Sequence, residues 1–151
     1  MKNFVQKKLK DQKGMTLIEL LAVIVIIAII AAIAIPAIGS LIDNSRNGAV
    51  KSDYQNALAA ANIYFTENNA KENDTVLVSK LLTDSYLDDA GSLKGDVVVT
   101  KKSGGNTISG SAIANEKTYT LKSALTNSQL GTIKNKNFTG ATIAPPTTPA
   151  S

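Results

Sequence analysis

The stretch from Lys13 to Ile38, KGMTLIELLAVIVIIAIIAAIAIPAI, constrains this chain more than any other. Leu20 to Ile35 is sixteen consecutive residues of Leu, Ile, Val and Ala. The apolar character continues past Pro36 to Ile38 and, after Gly39 and Ser40, to Leu41 and Ile42. A helix crossing a bilayer needs about 20 such residues. Eleven of the sixteen are Leu, Ile or Val. Each favours insertion by about 0.3 to 0.6 kcal/mol near a helix centre, on the order of 4 to 5 kcal/mol together. Glu19 is the only charge between Lys13 and Asp43. It opposes insertion by no more than about 3 kcal/mol, and by less near the segment's edge. Insertion wins, so the stretch reads as a membrane segment.

Charge placement orients it. The formal charge of +4 suggests a polyanionic partner until it is divided along the chain. Met1 to Gly14 holds Lys2, Lys7, Lys8, Lys10 and Lys13 against Asp11, whereas Met15 to Ser151 holds eleven basic and eleven acidic residues. All of the excess therefore precedes the apolar run, where it retains that end in the cytoplasm and sends the C-terminus outside. The 151 residues suit one soluble domain plus an appendage, with no internal repeat. The absence of Cys excludes a disulfide.

Three details single the stretch out: a Lys-rich leader ending at Lys13-Gly14, the sequence Thr-Leu-Ile-Glu after Met15, and Pro36 near the far end. Over residues 8 to 42 this combination resembles the class III signal of type IV prepilins and the related pseudopilins. The resemblance implies a cut between Gly14 and Met15 by a prepilin peptidase, which then methylates the Met15 amine. Met15 stands where the family most often has Phe, a departure that the family tolerates. Glu19 becomes the fifth mature residue. As a first-turn carboxylate it gains about 0.3 to 1 kcal/mol from the helix dipole. The resemblance implies more: a pairing with the freed Met15 amine of a neighbouring subunit during assembly. An ordinary secretory signal is the rival reading, since Ala32-Ile33-Ala34 offers an A-x-A sequence. Against it stand the length of the apolar run and Glu19 in its first turn.

The helix is expected to continue beyond the membrane. Val50, Tyr54, Leu58, Ala61 and Phe65 follow one helical face, while Lys51, Gln55 and Asn62 fall away from it. The pattern breaks at Glu67-Asn68-Asn69. A helix from Met15 to about Asn69 spans roughly 80 Å. Pro36 removes a hydrogen bond to the Ala32 carbonyl and Gly39 adds a weak point, so a bend or unwound segment is expected there. Asp74 or Thr75 is expected to cap a short helix carrying Val78, Leu81 and Leu82 and ending near Tyr86-Leu87. Asp88 to Gly91 turns the chain. Asp96 to Lys102 reads as a strand, Ser103 to Asn106 as a turn, Thr107 to Ile113 as its partner strand, and Lys117 to Lys122 as a third strand. Leu125, Leu130, Ile133 and Phe138 anchor either a loop or a fourth strand. The tail from Ala144, APPTTPAS, reads as disordered.

Charges beyond the helix are segregated. Glu67 to Asp96 holds seven acids against three lysines, and Lys101 to Lys136 holds six lysines against Glu116. They read either as two solvated faces of one domain or as surfaces that meet across subunits and set packing register. Asp84, Asp88, Asp89 and Asp96 fit no EF-hand loop, so no metal is expected. Catalysis finds no residues: the chain has no His or Cys, no G-x-S-x-G and no phosphate-binding Gly-rich loop. The lysines lack the aromatic interleaving of a single-strand groove, so no direct nucleic-acid binding is expected.

The fold expected is α+β, a long N-terminal helix packed by its second half on a small antiparallel sheet. The parts are a leader at 1–14, a transmembrane or filament-core helix at 15–39, a globular head at 40–143 and a tail at 144–151. The family resemblance implies a non-enzymatic, cofactor-free structural subunit, a major pilin. Its partners are copies of itself, the prepilin peptidase, an assembly ATPase and a platform protein. The precursor sits in the cytoplasmic (inner) membrane, N-terminus in and C-terminus out, before joining an extracellular surface filament. Adhesion, twitching motility, DNA uptake and secretion share this architecture. The alternatives are a pseudopilin of type II secretion or competence DNA uptake, and a secreted or membrane-tethered monomeric binding domain.

Overall fold

The computed structural model describes residues 2–139 and 142–146, with side chains from Thr16 onward. It is α+β, with the long N-terminal helix α1 (Lys2–Glu67) packed on a small antiparallel sheet. Contacts divide the chain into two units, one up to Ile42 and one from Asp43.

The helix α1 ends where polar Asn68 and Asn69 replace the apolar stripe. Asn69 turns left-handed at φ +49°, a conformation Asn adopts at less cost than other non-Gly residues. The Ala70 N–H donates to the Phe65 carbonyl at 3.0 Å and the Asn69 N–H to the Thr66 carbonyl at 3.4 Å, a Schellman closure with Asn in the usual Gly place. All five expected stripe residues, Val50, Tyr54, Leu58, Ala61 and Phe65, are buried. Ala57 and Ala60 share that face, and their small size lets the rest of the unit approach the helix closely.

Four strands cover the stripe: β1 (Thr75–Leu77), β2 (Val98–Thr100), β3 (Thr107–Ser109) and β6 (Leu125–Thr126), in the order β1-β2-β3-β6. Their register aligns Val76, Val99, Ile108 and Leu125 in one row, and all four are buried. Their strand neighbours point away, as the two-residue period of a strand requires. Each such burial is worth about 1.5 to 3 kcal/mol.

Several expectations need correction. Thr107 to Ile113 is not one strand. Gly110, at φ +125°, divides it into β3 and β4 (Ser111–Ala114). A Cβ there would stand 2.9 Å from the Val97 Cα, so the close approach requires glycine. The expected third strand, β5 (Lys117–Thr120), pairs only with β4, in a separate two-stranded sheet. Its turn, Asn115-Glu116, has both residues at positive φ, 49° and 65°, the hairpin geometry that matches strand twist.

The short helix α2 (Val78–Thr83) has no side-chain cap and follows β1 directly. Asp74 instead accepts the Lys71 N–H at 2.6 Å, and Thr75 opens the strand. The helix stops early because Ser85 turns left-handed at φ +60°. Leu125, Leu130, Ile133 and Phe138 are all buried; of the two readings, a loop or a fourth strand, the strand forms at β6 only, and α3 (Asn127–Thr132) and a 3-10 turn (Asn135–Asn137) follow it. A capping box between Thr126 and Gln129 starts α3. Ile143 is buried and bridges Leu121. The tail expected to be disordered lies, from residue 147, outside the described residues.

Candidate functional site

Gly14 and Met15 lie within α1, whose helical backbone crosses them without a break. Glu19 follows Met15 by about one helical turn and is exposed. Among the described side chains, from Thr16 onward, no cation forms an ion pair with it. A carboxylate carried into an apolar bundle or bilayer needs such a partner.

From Leu17 to Ile42 the large hydrophobic residues are 44% to 72% exposed, and they surround the helix axis rather than forming a stripe. A helix lying on a globular protein shows one apolar face and one polar face. This one is long and apolar enough to cross a membrane, and none of its apolar window is buried within the molecule. Pro36 lies inside it, and the helical assignment continues through Pro36 and Gly39. Open space surrounds the position where a Gly39 Cβ would stand.

Within the unit from Asp43, α1 is held by polar ties. Buried Asn47 accepts the Tyr119 hydroxyl at 3.0 Å, and the Tyr119 ring stacks on Phe138. Tyr54 donates its hydroxyl to the Gly110 carbonyl at 3.0 Å, where β3 and β4 part. Burial pushes the Tyr54 hydroxyl pKa well above the ordinary tyrosine value. Asp53 accepts the Ser92 N–H at 2.8 Å and its hydroxyl at 2.6 Å. Lys51 donates to the Ile133 carbonyl at 3.1 Å. Asp53 and Ser92 were not anticipated, nor was Asn47. It stands three residues before Val50 on the same stripe, so helical spacing could have found it, but its polarity hides it from an apolar pattern.

An open groove of about 410 Å³ lies between α1 and the β2–β3 turn. It is lined by uncharged residues, among them Asn62, Asn106, Asn127 and Ser128. That lining carries neither a general base nor a charged anchor.

Residues 9–35 match the family described as the prokaryotic N-terminal methylation motif. The match covers Gly14, Met15, Glu19 and most of the apolar run. No curated protein and no solved structure matches the chain.

Proposed function

From a chain that carries the class III signal of type IV pilins and pseudopilins, we propose a non-enzymatic structural subunit, the major pilin of a type IV pilus. It polymerises by bundling its apolar helix with those of neighbouring copies. The signal supports a pilin-like or pseudopilin subunit. The observation that carries the filament reading is the all-round exposed apolar surface from Leu17 to Ile42, directly behind the junction. Such a surface is stable in lipid or in a helical bundle, and leader removal followed by extraction moves it from one to the other.

In this course the prepilin peptidase removes residues 1–14 between Gly14 and Met15 and methylates the Met15 amine. Residues 15–39 hold the precursor in the cytoplasmic membrane, with the head (residues 40–143) and the tail from residue 144 outside. An assembly ATPase and a platform protein then lift the subunit into a surface filament. Pro36 and Gly39 supply the weak point at which the helix unwinds to fit the bundle. Glu19 takes the Met15 amine of the adjacent subunit. In a water-poor bundle that attraction is stronger than in water, although both charges must first be desolvated. Its main effect is therefore selective: without the carboxylate each incoming amine is buried unpaired.

Sheared surface filaments, seen by electron microscopy and analysed by mass spectrometry, should consist mainly of chains starting at methylated Met15. Glu19→Ala should leave mature subunit in the membrane with few or no filaments. A mature N-terminus after Ala34 would refute the processing step, and normal filaments from Glu19→Ala would refute the assembly role. A chain processed at Met15 that forms no filament, but whose loss stops secretion or DNA uptake, marks a pseudopilin instead.

A further inference from the structure

We propose that the globular units dock head to tail, the acidic loop after α2 of one copy meeting the basic C-terminal face of the next; this rests on the filament reading above. Leu81 to Leu93 carries Asp84, Asp88 and Asp89 and no cation, whereas Lys117 to Ser151 carries four lysines and no carboxylate. Two of these charges are engaged within the unit: Asp84 with Lys80 at 2.7 Å and Lys117 with Asp43 at 3.5 Å. Among the described residues no ion pair engages Asp88, Asp89, Lys122, Lys134 or Lys136, and all five are exposed.

The two groups flank α1 on opposite sides. Asp53 ties down the acidic loop through Ser92, and Lys51 ties down the segment before Lys134 through the Ile133 carbonyl. Positions two apart stand about 200° apart around a helix of 3.6 residues per turn. The sheet repeats the arrangement. One edge strand, β1, leads into α2 and Asp84, while the other, β6, leads into α3 and Lys134. The basic side is concave, an open groove of about 710 Å³ lined by Lys134, Lys136 and residues 142 and 144–146. The Lys122 backbone is tied to the same C-terminal segment, its N–H donating to the Ile143 carbonyl at 2.9 Å.

Complementary patches on opposite sides of one molecule make a heterologous contact, which extends from copy to copy instead of closing on a two-fold axis. An apolar helix bundle is non-directional, and its subunits can slide along one another at little cost. Charge pairing between heads supplies the missing register, because it rejects wrong alignments more than it adds affinity.

The test uses the full-length chain in its own filament. Reversing the loop (Asp88→Lys with Asp89→Lys) or the groove (Lys134→Glu with Lys136→Glu) should lower sheared filament yield by about tenfold or more. Processed subunit should still reach the membrane at the wild-type level, and combining the four substitutions should restore filaments. The chain has no Cys, so a chain carrying both Asp88→Cys and Lys136→Cys reports the contact without background. Oxidised filaments of that chain should give a disulfide-linked ladder of multimers that neither single variant gives. The ladder decides the matter where a reversal variant accumulates poorly. Absence of the ladder, or normal filaments from both reversals, overturns the contact. Normal filaments that lose retention of heparin on groove reversal would make the basic face a polyanion site instead. Wild-type cells without filaments would overturn the filament reading itself, and this contact with it.

Discussion

The part of α1 up to Ile42 and the part from Asp43 belong to one continuous helix, yet they treat apolar residues in opposite ways. Ile27, in the first part, is 59% exposed, as its neighbours are on every side of the axis. In the second part the apolar residues gather on one buried stripe, Ile63 excepted, and Tyr54 on that stripe is 0% exposed. Helix-forming tendency does not separate the two. Distribution around the axis does, because it sets how much of the circumference must leave water. The first part needs an apolar solvent on all sides, and the second needs only the sheet.

The contrast can be broken most forcefully by truncating one isoleucine in each region. Ile108→Ala, in the buried row of the sheet, should destabilise the unit from Asp43 by about 2 to 5 kcal/mol. Ile27→Ala should change the same melt by less than about 0.5 kcal/mol, since the unit makes no use of that side chain. Denaturant melts of the detergent-solubilised full chain, followed by Tyr fluorescence, check both. Equal losses would show that the two regions stabilise one another.

A smaller effect is expected at the polar tie beneath the stripe. Tyr54→Phe removes one of the two hydrogen bonds that the Gly110 carbonyl accepts, the Leu121 N–H remaining at 3.3 Å, and should cost about 0.5 to 1.5 kcal/mol. It should also alter the alkaline branch. Burial raises the Tyr54 pKa in the folded state, so folding favours the protonated phenol. That contribution is whole below pH about 10, where an unfolded tyrosine titrates. It is lost as pH rises from there towards the higher folded value. Melts above about pH 10 should therefore fall less steeply for Tyr54→Phe. Parallel curves would show that Tyr54 plays no part in that fall.

The smallest expected effect is a gain. Glu116→Gly relieves a left-handed non-Gly residue and creates the Asn-Gly pair favoured in this hairpin turn. It should raise stability by about 0.5 to 1 kcal/mol, the conformational relief of about 1 to 2 kcal/mol being partly offset by glycine's entropy. A melt unchanged or lowered would mean that the carboxylate at residue 116 makes a contact worth more than the strain.

Much of this was legible in the residues. The stripe from Val50 to Phe65 and the stop at Asn68-Asn69 follow from a period repeated over four turns, and repetition averages out single exceptions. The β2–β3 hairpin followed from β-branched residues on either side of Ser103 to Asn106. The capping box at Thr126 and Gln129 was written in the sequence, but apolar residues nearby drew the reading towards a loop or strand. The division of Thr107 to Ile113 was not legible. Gly110 reads equally well as a strand interior, a bulge or a corner, and its close approach to Val97 separates these only once the chain has folded.

By itself, then, the sequence determined that residues 16 to 42 need an apolar surrounding, that Glu19 is the one charge carried into it, and that one helical face beyond Asp43 needs a partner. Each follows from composition and period along the chain, quantities that survive unfolding. The tertiary structure decided which strands meet, that β4 and β5 leave the main sheet, that Asn47 is buried against Tyr119, and that the acidic loop and the basic C-terminal face lie on opposite sides of α1. The ties to α1 depend on pairings between residues 39 to 82 positions apart, and such pairings have no local signature because no neighbour in sequence takes part in them.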